Sequence, residues 1–70
     1  MMPLTMVGAG KENSIKRVGG KQETRQFLES LGFVPGAQVR VISEICGNLI
    51  VHIKDTRVAI SREMASKILV

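Results

Sequence analysis

Few side chains in this chain are of types that do chemistry, and their spacing limits what they can do. Cys46 is the single cysteine and His52 the single histidine. Nucleophilic catalysis needs a nucleophile, a base and an orienting group in contact. Neither residue belongs to a catalytic motif, and Cys46 reads as an unreactive small side chain beside a hairpin loop. Gly8-Ala9-Gly10-Lys11 has the residue types of a phosphate loop. It lacks the spacing, and the strand and helix that would frame it. GTPase activity is therefore rejected, and the chain reads as a non-enzyme. A metal needs several N, S or O donors converging. Glu44 and His52 could share one face of a hairpin with Cys46 near its end, but that is not a complete ligand set. No cofactor is required on this reading. A metal ligand stays open without an assigned site, and His52 reads as a half-exposed strand histidine.

The elements that would carry these residues must be short. A chain of 70 residues makes one domain, residues 1–70, with a thin core, because a domain of this size buries only about 60% of its unfolded surface. The hydrophobic fraction of 44% is too high for a disordered chain. No apolar run approaches the roughly 20 residues of a membrane-spanning helix. The N-terminus lacks the features of a signal peptide. With a lone thiol, these absences favour the cytoplasm. The net charge of +4 suits nucleic acid, a membrane surface or an acidic protein face. The cations are scattered, which also fits a plain solubilising surface.

Glycines cut the sequence into pieces. Leu4 to Val7 is short and apolar. Lys11 to Ser14 reads as a turn, and Ser14 to Val18 as a strand ended by Gly19-Gly20. Thr24 to Leu31 reads as a helix of about two turns. With Gly32 as its left-handed stop, Phe33 should meet Leu28, the usual contact of such a cap. Val34-Pro35-Gly36-Ala37 reads as a tight turn, with proline at its second position and glycine at its third. From Gln38 onward the period becomes two. Val39, Val41 and Ile45 alternate with Gln38, Arg40 and Glu44, with Ser43 interrupting the apolar face, and Leu49, Val51, Ile53, Val58 and Ile60 continue that face in the next strands. Ser61 can cap a single helical turn through Met64, and Ile68 to Val70 reads as a closing strand.

Register follows from those faces. A two-residue loop at Gly47-Asn48 splits the core. A three-residue loop, Cys46 to Asn48, pairs Ile45 with Leu49, Ser43 with Val51 and Val41 with Ile53. An Asp55-Thr56 loop then pairs Ile53 with Val58. The outer face so built pairs Ile42 with His52, which Ala59 flanks, and carries Ile50 and a cationic row of Arg40, Lys54 and Arg57. Like charges in a row call for an acidic counterpart, and an apolar spot beside them is the makeup of a protein-docking surface. Arg40, Ile42, Ile50, His52, Lys54 and Arg57 are thus the candidate partner-binding residues, unless the N-terminal segment covers them. Nucleic-acid binding is disfavoured, because the only aromatics, Phe27 and Phe33, leave no stacking platform. Proline-rich peptides lack an aromatic groove for the same reason.

The run Leu28-Glu29-Ser30-Leu31-Gly32-Phe33-Val34-Pro35-Gly36 resembles the helix-to-strand signature of the ferrous iron transport protein A family. Leu31, Gly32, Phe33, Pro35 and Gly36 carry the motif. Val39-Arg40-Val41, Arg57 to Ile60 and Ala65 to Val70 also fit, so the resemblance spans nearly the whole chain. It implies a mainly β, SH3-like barrel of about five strands with one short α-helix. It also implies transition-metal biology: a cytoplasmic accessory that binds and modulates the membrane ferrous iron transporter, whose cytoplasmic part has a GTP-binding domain. Membrane association would then come through that partner, without insertion and without a small-molecule substrate, and Fe²⁺ is the metal the resemblance leaves open as a ligand, with no complete ligand set. A similar domain ends the iron- and manganese-dependent repressors. The alternative is therefore an SH3-like nucleic-acid-binding or regulator-associated module.

Overall fold

Alternation at period two brings Val39, Val41, Leu49, Val51, Ile53 and Ile60 to one side of adjacent strands, where all six are buried. The computed structural model describes residues 1–70. Three long strands carry the alternation: β3 (Gln38–Ile45), β4 (Asn48–Ile53) and β5 (Thr56–Ser61). With the short β1 (Glu12–Ser14) they form an antiparallel sheet in the order β1-β3-β4-β5, and β2 (Arg17–Val18) pairs with β6 (Ile68–Leu69) in a second sheet. The architecture is mainly β, as expected. It has six strands rather than about five, and its ladders form two sheets over one core instead of one closed barrel.

The additional strand comes from the stretch read as a turn. Lys11 to Ser14 has no apolar alternation, yet Glu12–Ser14 pairs with Gln38–Arg40 at the sheet edge. The next two residues turn the corner between sheets. The N–H of Ile15 donates to the Ala37 carbonyl, while that of Lys16 donates to Leu69. Ile15 is buried at this corner, so one apolar side chain anchors both sheets.

Helix α1 (Gln22–Ser30) begins two residues before the expected start and buries Leu28. Its end is the expected cap. Gly32 has φ +105°. The Gly32 N–H donates to Glu29 at 2.9 Å and the Phe33 N–H to Leu28 at 3.0 Å, the paired bonds of a Schellman motif. Leu28 and Phe33 are both fully buried. In the turn that follows, the Ala37 N–H donates to Val34 at 3.0 Å, and Gly36 has φ +92°. Helix α2 (Arg62–Ala65) is a single turn whose Met64 N–H is accepted by the Ser61 hydroxyl, as read from the sequence. Leu4, in a 3₁₀ turn at Leu4–Met6, joins the core with Ala65 and Ile68. Burying a Leu, Ile or Val side chain in this core stabilises by about 1.5–3 kcal/mol, and no polar side chain is buried among them.

Candidate functional site

Both hairpins close with two-residue turns in which each central residue has positive φ: Cys46 (51°) with Gly47 (80°), and Lys54 (51°) with Asp55 (61°). Positive φ at both positions matches the twist of antiparallel strands. These turns correct both expected loops. Ile45 pairs with Asn48, not Leu49, and Ile53 with Thr56, not Val58. A β-bulge reconciles the short first loop with a single apolar face. Counted back from the turn without a bulge, Val41 would meet His52. Between Val41 and Ser43 the register shifts by one, so that Val41 faces Val51 and Val39 faces Ile53. Ile42 is the extra residue. Beyond the bulge the faces are as expected. Nearer the turn they are exchanged: Ile45 is 57% exposed and Glu44 pairs with Leu49.

The outer face therefore has a different cast from the expected one. Arg40 pairs with His52, His52 with Arg57, and Glu12 of β1 with Arg40. One row thus crosses all four strands: Glu12, Arg40, His52, Arg57. Lys54 is not in it. It occupies the second hairpin's turn, and its Cγ lies 2.8 Å from where a Cβ on Gly32 would be. Ile42 does not pair with His52, and Ala59 pairs with Ile50 rather than flanking His52. Ile42 and Ile50 are half-buried rather than fully exposed. The N-terminal segment, the alternative cover for this face, supplies β1, which widens the sheet beside β3.

The one ion pair, Arg62 to Glu44 at 2.7 Å, ties α2 to β3. It leaves Arg40 and Arg57 without a salt-bridge partner and removes Glu44 from the neighbourhood of His52. Cys46 is exposed in its turn. Glu44, Cys46 and His52 are not brought together, and no group of three or more His, Cys, Asp or Glu side chains is placed to hold a metal. Beside His52 a shallow depression is lined by Glu12, Gln38, Lys54 and Asp55. Glu12 escaped the sequence reading because its stretch shows no strand pattern. A second depression, this one mainly cationic, with Lys16, Arg17 and Arg25 around Glu29, escaped it because α1 and β2 are brought together only by the fold.

A family model described as the FeoA domain matches residues 2–70. A Methanocaldococcus jannaschii protein provisionally named Fe(2+) transport protein A is 33% identical over 70 residues, spanning 100% of this chain and 85% of that protein. A crystal structure of an iron uptake regulatory protein, FeoA, superposes with a TM-score of 0.87 at 30% identity, over 96% of this chain and 89% of that one. FeoA of Stenotrophomonas maltophilia, solved with zinc and described as a prokaryotic SH3-domain protein, superposes with a TM-score of 0.85 at 23% identity, over 99% and 88% of the two chains. The fold is thus SH3-like, and the helix cap, the Pro35-Gly36 turn and the strands after them lie within the matched span. The chain belongs to the FeoA domain family.

Proposed function

We propose that this protein is a non-catalytic accessory of ferrous iron uptake that binds the cytoplasmic part of the membrane ferrous iron transporter and modulates it. Iron is the transporter's cargo on this reading, and the protein acts by docking. The outer face of the four-stranded sheet is the docking surface. The observation that carries this is the row Glu12, Arg40, His52, Arg57, whose two arginines have no salt-bridge partner and whose β5 end carries no acidic residue, next to half-buried Ile50. Such a face fits an acidic surface with an apolar centre. The name of the S. maltophilia relative, which suggests a ferrous iron transport activating factor, points the same way.

Binding kinetics to the transporter's cytoplasmic domain at two salt concentrations test the proposal. Arg57→Glu should slow association and weaken its salt dependence, because peripheral charges chiefly steer encounter. Ile50→Ala should chiefly speed dissociation. Circular dichroism should show both variants folded. Wild-type kinetics in both variants would remove this face as the docking site. A salt-dependent DNA-binding assay run alongside separates docking from nucleic-acid binding.

A further inference from the structure

Strand β5 is the far edge of the four-stranded sheet, and no strand lies beyond it. Its ladder with β4 runs unbroken for six residues. The type I′ turn at Lys54-Asp55 makes Ile53 and Thr56 the closing hydrogen-bonded pair, and hydrogen-bonded and non-bonded pairs then alternate. Val58 and Ile60 therefore aim their backbone groups at β4, while Arg57 and Ala59 aim theirs outward. No turn, loop or cap hydrogen bond takes up the N–H of Arg57 or of Ala59, and both residues are exposed. Edges are usually blunted by proline, bulges, several charges or shortness. β5 has no proline, no bulge, a single charged residue and six residues of length. The other edge, β1, is only three residues long.

The side chains along this edge describe what would fill it. On the outer face Arg57 asks for a carboxylate in the added strand, because it stands at the end of the row farthest from Glu12. Two residues along, Ala59 is small and leaves its neighbour Ile50 reachable from the side, which suits a large apolar side chain. We infer that β5 takes up an extended segment of the partner as an added strand, with an acidic and a large apolar residue at alternate positions opposite Arg57 and Ala59. This deepens the docking function proposed for the outer face and rests on it for the natural partner. Main-chain hydrogen bonds would supply affinity and the alternate side chains specificity, as in β-augmentation generally.

Amide hydrogen exchange by NMR tests it with two probes: the capped peptide Thr-Glu-Thr-Ile-Thr-Glu-Thr and the transporter's cytoplasmic domain. Binding of either should slow exchange at Arg57 and Ala59, leaving Val58 and Ile60 as protected as before. Ala59→Pro removes an outward N–H without touching the β4 ladder, which edge strands tolerate. It should weaken binding about tenfold or more, with the fold checked by the unchanged protection of Val51 and Val58. A peptide with lysines in place of the glutamates should not bind. Unaltered exchange at Arg57 and Ala59, or unimpaired binding by Ala59→Pro, overturns the inference even if the transporter domain binds. Edge protection by the peptide with no binding of the transporter domain supports the edge and removes the transporter as its partner. Protection that grows with protein concentration alone would make a second copy the occupant and overturn the acidic segment.

Discussion

A methyl group at Gly32 meets two obstacles. The φ of +105° is strained for any L side chain, at a cost of about 1 kcal/mol or more. The new Cβ would also stand 2.8 Å from Lys54 Cγ, so the lysine must move. Gly32→Ala should lower the thermal midpoint, and the same substitution in a Lys54→Ala background should cost less, leaving only the backbone strain. Equal costs in both backgrounds would mean that the lysine yields freely. The cap itself was legible in the sequence because it is local: Leu28, Gly32 and Phe33 are close along the chain and their roles follow from helix geometry. The lysine contact was not legible, because it exists only once the hairpin tip meets the helix end. The positive φ of Lys54 was hidden for a related reason, since lysine gives none of the usual turn signals that glycine or asparagine gives.

Among the elements, β3 was the hardest to read. Its apolar positions follow period two on either side of Ile42, so the sequence permits either a longer loop or an inserted residue, and both gather Val39 and Val41 with Val51 and Ile53. Only backbone pairing separates them. The difference matters for the site, because it moves Lys54 out of the charged row and puts His52 between Arg40 and Arg57. The bulge makes a sharp prediction. Deleting Ile42 removes the supernumerary residue and leaves Gln38, Arg40, Ser43 and Ile45 alternating with Val39, Val41 and Glu44. The shortened strand should keep Val41 opposite Val51 and still fold. The cost should be about 1–3 kcal/mol for the lost half-buried side chain and the altered bend. Cross-strand NOEs and a urea titration check both parts. Under a three-residue loop the same deletion would turn Val39 and Val41 to solvent and abolish folding.

For the whole molecule, a core of twelve residues, all apolar, holds the two sheets together, and no group of metal-ligating side chains links them. The protein should therefore fold without added iron. Its thermal melt should be the same with and without a chelator, whereas a domain organised by metal would unfold on chelation. A drop in melting temperature on chelation, or a stoichiometric tight Fe²⁺ site by titration, would count against this. Strand number and the shape of the second sheet were the least legible features at this scale. They depend on a corner at Ile15 and Lys16 where adjacent residues bond to different sheets, and no local pattern marks it.

The second sheet also brings distant parts of the chain side by side. The Met2 N–H donates to Val70 at 2.9 Å and the Val70 N–H to Met2 at 2.8 Å, with Pro3 bridged to Leu69. Residues 2 and 70 are thus neighbours across a ladder rung, and a few flexible residues could join them without distorting either sheet. New ends could then be opened at Gly8 and Ala9, both exposed and outside every strand and helix. Such a circular permutant would present the outer face and the β5 edge unchanged. Its ends would leave the fold at a loop, so a fluorophore or tether placed there would pull on no strand of either sheet.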